Sequence, residues 1–149
     1  MLKRVLIKQN YDRKAPVIPS SDDPERCEES LVEIPPDSTK KVHDPRRVIS
    51  LNVDRGEFFG VKGGFSRNMI IGFARMNGKS VGIVANNPLF LASAIDCDAT
   101  DMAARFIRTC DCFNIPLISL VDVPGYLPRV KEEYKYKGII RDGAKMLYA

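Results

Sequence analysis

The chain has 149 residues, about one domain's length, and its 44% hydrophobic and 28% charged content is that of an ordinary soluble protein. A formal charge of +4 is mild, and the basic residues fall in twos and threes without an RNA- or DNA-reading motif, so nucleic acid is not an expected partner. No apolar run reaches the length that spans a bilayer, and the opening apolar run is too short for a signal peptide, so the expected compartment is the cytoplasm (or the mitochondrial matrix, if the source is eukaryotic). Four cysteines without a C-x-x-C pair and the single histidine, His43, give no zinc spacing; no metal is expected.

Residues 1–40 are polar and punctuated by Pro16, Pro19, Pro24, Pro35 and Pro36, with an acidic run at Asp22, Asp23 and Glu25. That composition predicts an interdomain-linker-like segment with one short helical turn near 25–31, leaving residues 41–149 as a partial domain. Asp44-Pro45 predicts a helix over 46–53, with Pro45 at the first helical position and Val48, Ile49 and Val53 on one face. Asp54-Arg55-Gly56 breaks it, and Glu57-Phe58-Phe59 begins a short apolar patch.

Two apolar, β-prone runs at 69–76 and 79–85 flank Asn77-Gly78, a strong hairpin signal. Gly72 and Gly82 inside them predict close backbone approach. Met102, Ala103, Phe106, Ile107, Cys110 and Phe113 recur at helical spacing, predicting a helix over 98–113 with Asp98 as its cap. Pro116 separates it from 117–121, read as a buried strand. The final helix, 138–149, carries Ile140, Ala144, Leu147 and Tyr148 on one stripe and stops without a capping glycine, as a truncated domain would. The order strand, strand, helix, strand, helix places the chain in the α/β class.

The strand at 117–121 runs into Asp122-Val123-Pro124-Gly125-Tyr126, and after a charged loop a new segment opens at Gly138-Ile139. A turn glycine behind a strand, followed by a helix start, brings unpaired backbone N–H groups to the carboxyl edge of a sheet, where they can hold an oxygen gaining negative charge. The turn at Pro124-Gly125 and the start at Gly138-Ile139 are therefore the stretches to watch. An ordinary strand–loop–helix connection has the same pattern, and Tyr126 could equally cover core. Arg129, Lys131, Lys135 and Lys137 read as a solvated loop balanced by Glu132 and Glu133, or as cations for phosphates or an acidic carrier. No Ser–His–Asp, Cys–His or paired-carboxylate arrangement is evident, so no catalytic side chain is predicted.

Residues 68–85 resemble the opening hairpin of the C-terminal carboxyltransferase domain of biotin-dependent acyl-CoA carboxylases. The similarity continues through 103–108, 111–116, Val121-Asp122-Val123-Pro124-Gly125 and 138–149. Asp23-Pro24 with Arg26, Ile34-Pro35, Val48-Ile49 and Gly56-Glu57-Phe58-Phe59 match the segment before it. Within the family, the chain resembles the propionyl-CoA carboxylase β subunits and methylmalonyl-CoA decarboxylase α subunits.

This resemblance implies a crotonase-like fold of repeated ββα units. It implies biotin, carried as carboxybiotin on a biotin carboxyl carrier protein that serves a biotin carboxylase subunit, and a CoA thioester such as propionyl- or acetyl-CoA. It also implies a carboxyltransferase N-domain or a homo-oligomer as partner, since the family's site forms between the N-domain of one subunit and the C-domain of another. Backbone amides hold the oxyanions, which places Pro124, Gly125, Tyr126, Gly138 and Ile139 at the carboxybiotin pocket. The chain departs from the family in lacking the N-domain and the later Gly-Ala pair. It also carries Arg129 in place of glycine and Asp142 in place of histidine, and has a longer loop around Tyr134. The implied function is part of a carboxyltransferase, incomplete alone. The alternatives are a non-catalytic fragment that at most assembles with intact subunits, or a small acyl-CoA-binding module. The acyl group and the direction of transfer stay open.

Overall fold

A computed structural model describes residues 17–23, 25–34, 42–128, 133–134 and 138–149. Its centre is a four-stranded sheet: β1 (Phe59–Val61), β2 (Met69–Met76), β3 (Lys79–Asn86) and β4 (Leu117–Leu120), side by side in that order. β1–β2 and β2–β3 are antiparallel; β3–β4 is parallel, with Gly82 opposite Leu117 and Ala85 opposite Leu120. Asn77 (φ 49°) and Gly78 (φ 75°) are both left-handed, the geometry of a two-residue turn whose twist matches a hairpin. The Asp54 carboxylate accepts from the N–H of Asn77 (2.9 Å) and of Gly78 (2.7 Å), latching the turn from outside.

The two strands of the hairpin are apolar on both faces because both faces are covered. Met69, Ile71 and Phe73 point to α2 (Cys97–Cys112), packing on Ala99, Met102, Ala103, Phe106 and Cys110. Ile70, Ala74, Val81, Ile83 and Ala85 point the other way, onto Ile49 and Val53 of α1 (Pro45–Asn52) and its end. Strands buried on both sides read as continuous apolar runs rather than alternating ones. Gly82 lets α2 approach, since a Cβ there would stand 2.6 Å from Cys110 Sγ and 2.9 Å from Leu117 Cδ2.

α1 and α2 begin where polar side chains can satisfy their first amides. Asp44 Oδ1 accepts from Arg46 N–H at 2.9 Å, and Pro45 takes the first helical position as predicted. α2 is capped by Asp96, whose Oδ1 accepts from Ala99 N–H at 2.8 Å; Asp98, the expected cap, lies inside the first turn. Residues on the linker-like segment lie on this core. Ile18 N–H donates to Gly78 O (2.8 Å), and Arg26 Nη2 donates to Leu51 O (3.2 Å) and Val53 O (2.8 Å), closing the end of α1. The short turn is a 3-10 helix at Glu29–Glu33, slightly later than expected.

One expectation is corrected. β4 is a partly exposed strand rather than a buried one: its side chains are exposed or half-buried in alternation, and among the described residues only β3 pairs with it. The final helix, α3 (Ile139–Leu147), turns its apolar stripe outward, leaving Ile140 88% and Leu147 81% exposed. It meets the core instead through Asp142, Gly143 and Met146. An apolar run records that a surface is to be covered, but the covering element must be supplied from elsewhere.

Replacing Gly82 by alanine should destabilise the domain by about 1–3 kcal/mol, because the added methyl meets a fully buried thiol with no room to move. Urea unfolding checks this; an unchanged midpoint would show that α2 can back away freely.

Candidate functional site

β3 ends at Asn86, and three loops meet at its carboxyl end. Buried Asn87 donates through Nδ2 to Arg67 O (2.7 Å) and through its N–H to Asn68 O (2.9 Å). Asn68, also buried, donates through Nδ2 to Ala94 O (2.8 Å) and lies 3.3 Å from Asp96 Oδ1. Ser66 Oγ is within hydrogen-bonding distance of both Asn68 Oδ1 (2.9 Å) and Asp96 Oδ1 (3.2 Å). Between these anchors, Leu91, Ala92 and Ser93 are all left-handed (φ 50°, 46° and 65°), a conformation costing roughly 1–2 kcal/mol per non-glycine residue. Hydrogen bonds from Ser93 N–H to Phe90 O (3.0 Å) and from Ala94 N–H to Leu91 O (2.9 Å) hold this turn.

That anchored loop delivers Ile95, which carries the first half of the predicted site. Ile95 N–H donates to Gly125 O (3.0 Å), and Leu127 N–H donates back to Ile95 O (2.8 Å), so residues 124–127 lie beside Ile95 as an extended arm. Upstream, Asp122 N–H donates to Asn86 Oδ1 (3.2 Å), fixing the exit from β4. Pro124 is exposed and Gly125 half-buried. Tyr126 is 44% exposed, and its phenol rests on α3: a Cβ at Gly143 would lie 3.0 Å from the Tyr126 oxygen.

The second half is the start of α3. Gly138 has φ 81°, and a Cβ there would also stand 2.8 Å from Glu133 O, so glycine is required on two counts. Asp142 N–H donates to Gly138 O (3.2 Å), the first bond of the helix. The amides of Ile139, Ile140 and Arg141 precede it and have no acceptor within the helix. Ile139 is half-buried, about one helical turn from the Gly143 seat of Tyr126. The structure thus ties the two predicted clusters together through one contact, Tyr126 on Gly143. Arg129, Lys131, Glu132, Lys135 and Lys137 lie outside the described residues.

Asp142 stands out from sequence as a departure from the family, but its partners Lys145, Asp101 and Arg105 do not. Asp142 is only 5% exposed, and Lys145 Nζ lies 2.8 Å from its Oδ1 and 3.1 Å from Asp101 Oδ1 on α2. Asp101 Oδ2 in turn lies 2.9 Å from Arg105 Nε. The hydrogen bonds to Asp142 and then Asp101 raise the Lys145 pKa above its ordinary value. Asp142 and Lys145 are three apart on one helix, a legible spacing; Asp101 is far away in sequence, and only packing reveals it. Burial pushes the Cys110 thiol up to about 11, so it is packing rather than a nucleophile. Among the described residues, no group of three His, Cys, Asp or Glu is placed to hold a metal ion, and no helix is long and apolar enough to cross a membrane.

The family of carboxyl transferase domains matches residues 3–149. The chain belongs to that family. This carboxyl transferase domain is 49% identical over 141 residues to the propionyl-CoA carboxylase carboxyltransferase subunit of Haloferax mediterranei, covering 95% of this chain and 27% of that one. It is 47% identical over 140 residues to the methylmalonyl-CoA decarboxylase α subunit of Veillonella parvula, covering 94% and 27%. Among solved structures, the hexameric transcarboxylase 12S with hydrolysed methylmalonyl-CoA bound superposes with a TM-score of 0.91 at 46% identity, over 99% of this chain and 28% of the other. The fold is accordingly the crotonase-like α/β fold expected from sequence, in part. The chain spans about 27% of the length of the curated relatives it matches.

Two outcomes follow for this part of the carboxyl transferase domain. Gly143→Ala gains about 0.8–1.0 kcal/mol of helix propensity but drives a methyl into Tyr126, a clash of about 1–3 kcal/mol, so the net effect should be a loss of up to about 2 kcal/mol. Tyr126→Phe in that background should recover part of it in a thermal melt; no recovery would mean that Tyr126 is not what the methyl strikes. The Lys145 bridge works fully below the residue's ordinary pKa of 10.5 and is lost as pH rises through its raised value. The melting-temperature gap between wild type and Lys145→Met should therefore be constant from pH 7 to 9 and close in stronger alkali. A gap that closes near neutrality would contradict the assignment.

Proposed function

We propose that this chain is the part of a biotin-dependent carboxyltransferase C-terminal domain that presents backbone amides to the carboxyl donor. The observation that carries this is the match to carboxyl transferase domains over residues 3–149, a range that includes both the arm and the start of α3. The residues fit the group in kind. The ureido oxygen of biotin requires N–H donors, and the Ile139 end of α3 supplies donors that the helix itself leaves unused. When bound, carboxybiotin supplies the carboxyl group to be moved to or from an acyl-CoA. Gly138 and Ile139 would hold the ureido oxygen through their amides, while Gly125 and Tyr126 wall the same edge. Amides fixed in place stabilise developing charge without reorganising, and this explains why the site needs no acid–base side chain.

The biotin carboxyl carrier protein, its biotin carboxylase subunit, and a carboxyltransferase N-domain or a second subunit are the partners this reading requires. The soluble compartment where such carriers work, the cytoplasm or mitochondrial matrix, is its location. The isolated chain should not turn over, since the acyl-CoA half of the site lies on other sequence. A second reading, a non-catalytic piece that assembles with intact subunits, is favoured by one observation: Ile140 and Leu147 of α3 and Tyr148 just after it stand exposed.

Carboxyl transfer from methylmalonyl-CoA to free biotin, measured beside an intact carboxyltransferase, tests the proposal. The purified chain should give no turnover above a heat-killed control, while amide resonances of Gly138 and Ile139 shift on biotin addition. Turnover by the chain alone would show that its own amides suffice. Biotin-independent resonances would remove Gly138 and Ile139 from the pocket.

A further inference from the structure

α3 packs against α2 and is tied to it by a charged bridge. Ile140 and Leu147 of its apolar stripe face outward, Gly143 has no side chain, and Ile139, Ala144 and Met146 are only half-buried. Across the gap, Lys145 Nζ reaches Asp101 Oδ1 at 3.1 Å, while on its own helix it reaches Asp142 Oδ1 at 2.8 Å. Asp101 is oriented in advance by Arg105, its i,i+4 partner on α2. The four groups Asp142, Lys145, Asp101 and Arg105 sum to zero charge.

The neutrality matters because of where Asp142 sits. It is the fourth residue of α3, buried, one turn from the amides of Ile139 and Ile140. A helix start favours an anion, but an uncompensated carboxylate so close would repel the same anion.

We propose that Lys145 is a positioning residue for the Gly138–Ile139 amides: it seats α3 on α2 through Asp101 and cancels the Asp142 charge that would oppose an oxyanion at the helix start. The second part rests on the amide-donor reading given above; the first does not.

The two parts separate in one experiment on the ¹⁵N-labelled chain and three variants, Lys145→Met, Lys145→Arg and the double Lys145→Met/Asp142→Asn. Seating is read from hydrogen exchange at the amides of Asp142 and Tyr148, which donate to Gly138 O and Ala144 O. Charge cancellation is read from titration with free biotin at the Ile139 amide. Lys145→Met should speed exchange about tenfold and weaken the biotin response about tenfold, as for a partly exposed bridge to a buried carboxylate. Lys145→Arg should keep both. The double variant should recover the biotin response, because the opposing charge is gone, while exchange stays fast, because the bridge is still missing. Unchanged exchange in Lys145→Met overturns the seating role. A double variant as weak as Lys145→Met overturns the charge role. If biotin moves no amide even in the wild type, the amide-donor reading and the charge role fall together, and exchange still decides the seating.

Discussion

One carboxylate oxygen, Asp96 Oδ1, holds the organisation of the functional edge. It accepts the Ala99 N–H that starts α2, and Ser66 Oγ and Asn68 Nδ2 lie within hydrogen-bonding distance of it. Through Asn68 the constraint passes to Ala94, and through the neighbouring Ile95 backbone to Gly125 and Leu127. From the arm it passes by the Tyr126 ring to Gly143 and α3. Each link is local, yet together they connect the start of β2, the long helix, the post-β4 arm and the last helix. A charged acceptor partly removed from water gives stronger bonds than a neutral one, which suits Asp96 to anchor a loop containing three left-handed residues.

The parts of this architecture legible in the sequence are those set by neighbours along the chain. Asn77-Gly78 fixed the hairpin because only residues tolerant of positive φ fit its turn. Pro45 and Asp44 located α1, and the spacing of Met102, Phe106 and Cys110 located α2. Gly72 and Gly82 foretold close packing, correctly, because a missing Cβ in a strand has few other uses. The cap of α2 fell two residues from expectation, since Asp96 and Asp98 are equally good caps until the loop that feeds the helix is known.

What the sequence withheld depends on the third dimension. The stripe of α3 gave no sign of which way it faces; Ile140 and Leu147 stand outside, while Lys145 reaches Asp101, far away in the chain. β4 has the composition of a covered strand, yet is flanked on one side only among the described residues. Of the candidate residues, Gly125 and Gly138 both sit at positive φ, and Tyr126 links their two segments. Asn68 and Asp96 carried no local signal, because a polar residue at a strand's start or before a helix is commonplace until its partners are seen.

The parallel pairing of β3 with β4 has a consequence for how the domain assembles. β2 and β3 meet through a two-residue turn, so their ladder can close on the microsecond scale of isolated hairpins, about 1–10 μs. β4 can join only after the whole of α2 has folded back over the sheet, bringing Pro116 O to the Gly82 N–H. Closing that longer loop must precede any reward from the pairing, so β4 is the late strand. Until it arrives, the Gly82–Ala85 edge of β3 is an unoccupied template, and a chain emerging during synthesis is most open to mispairing in that interval.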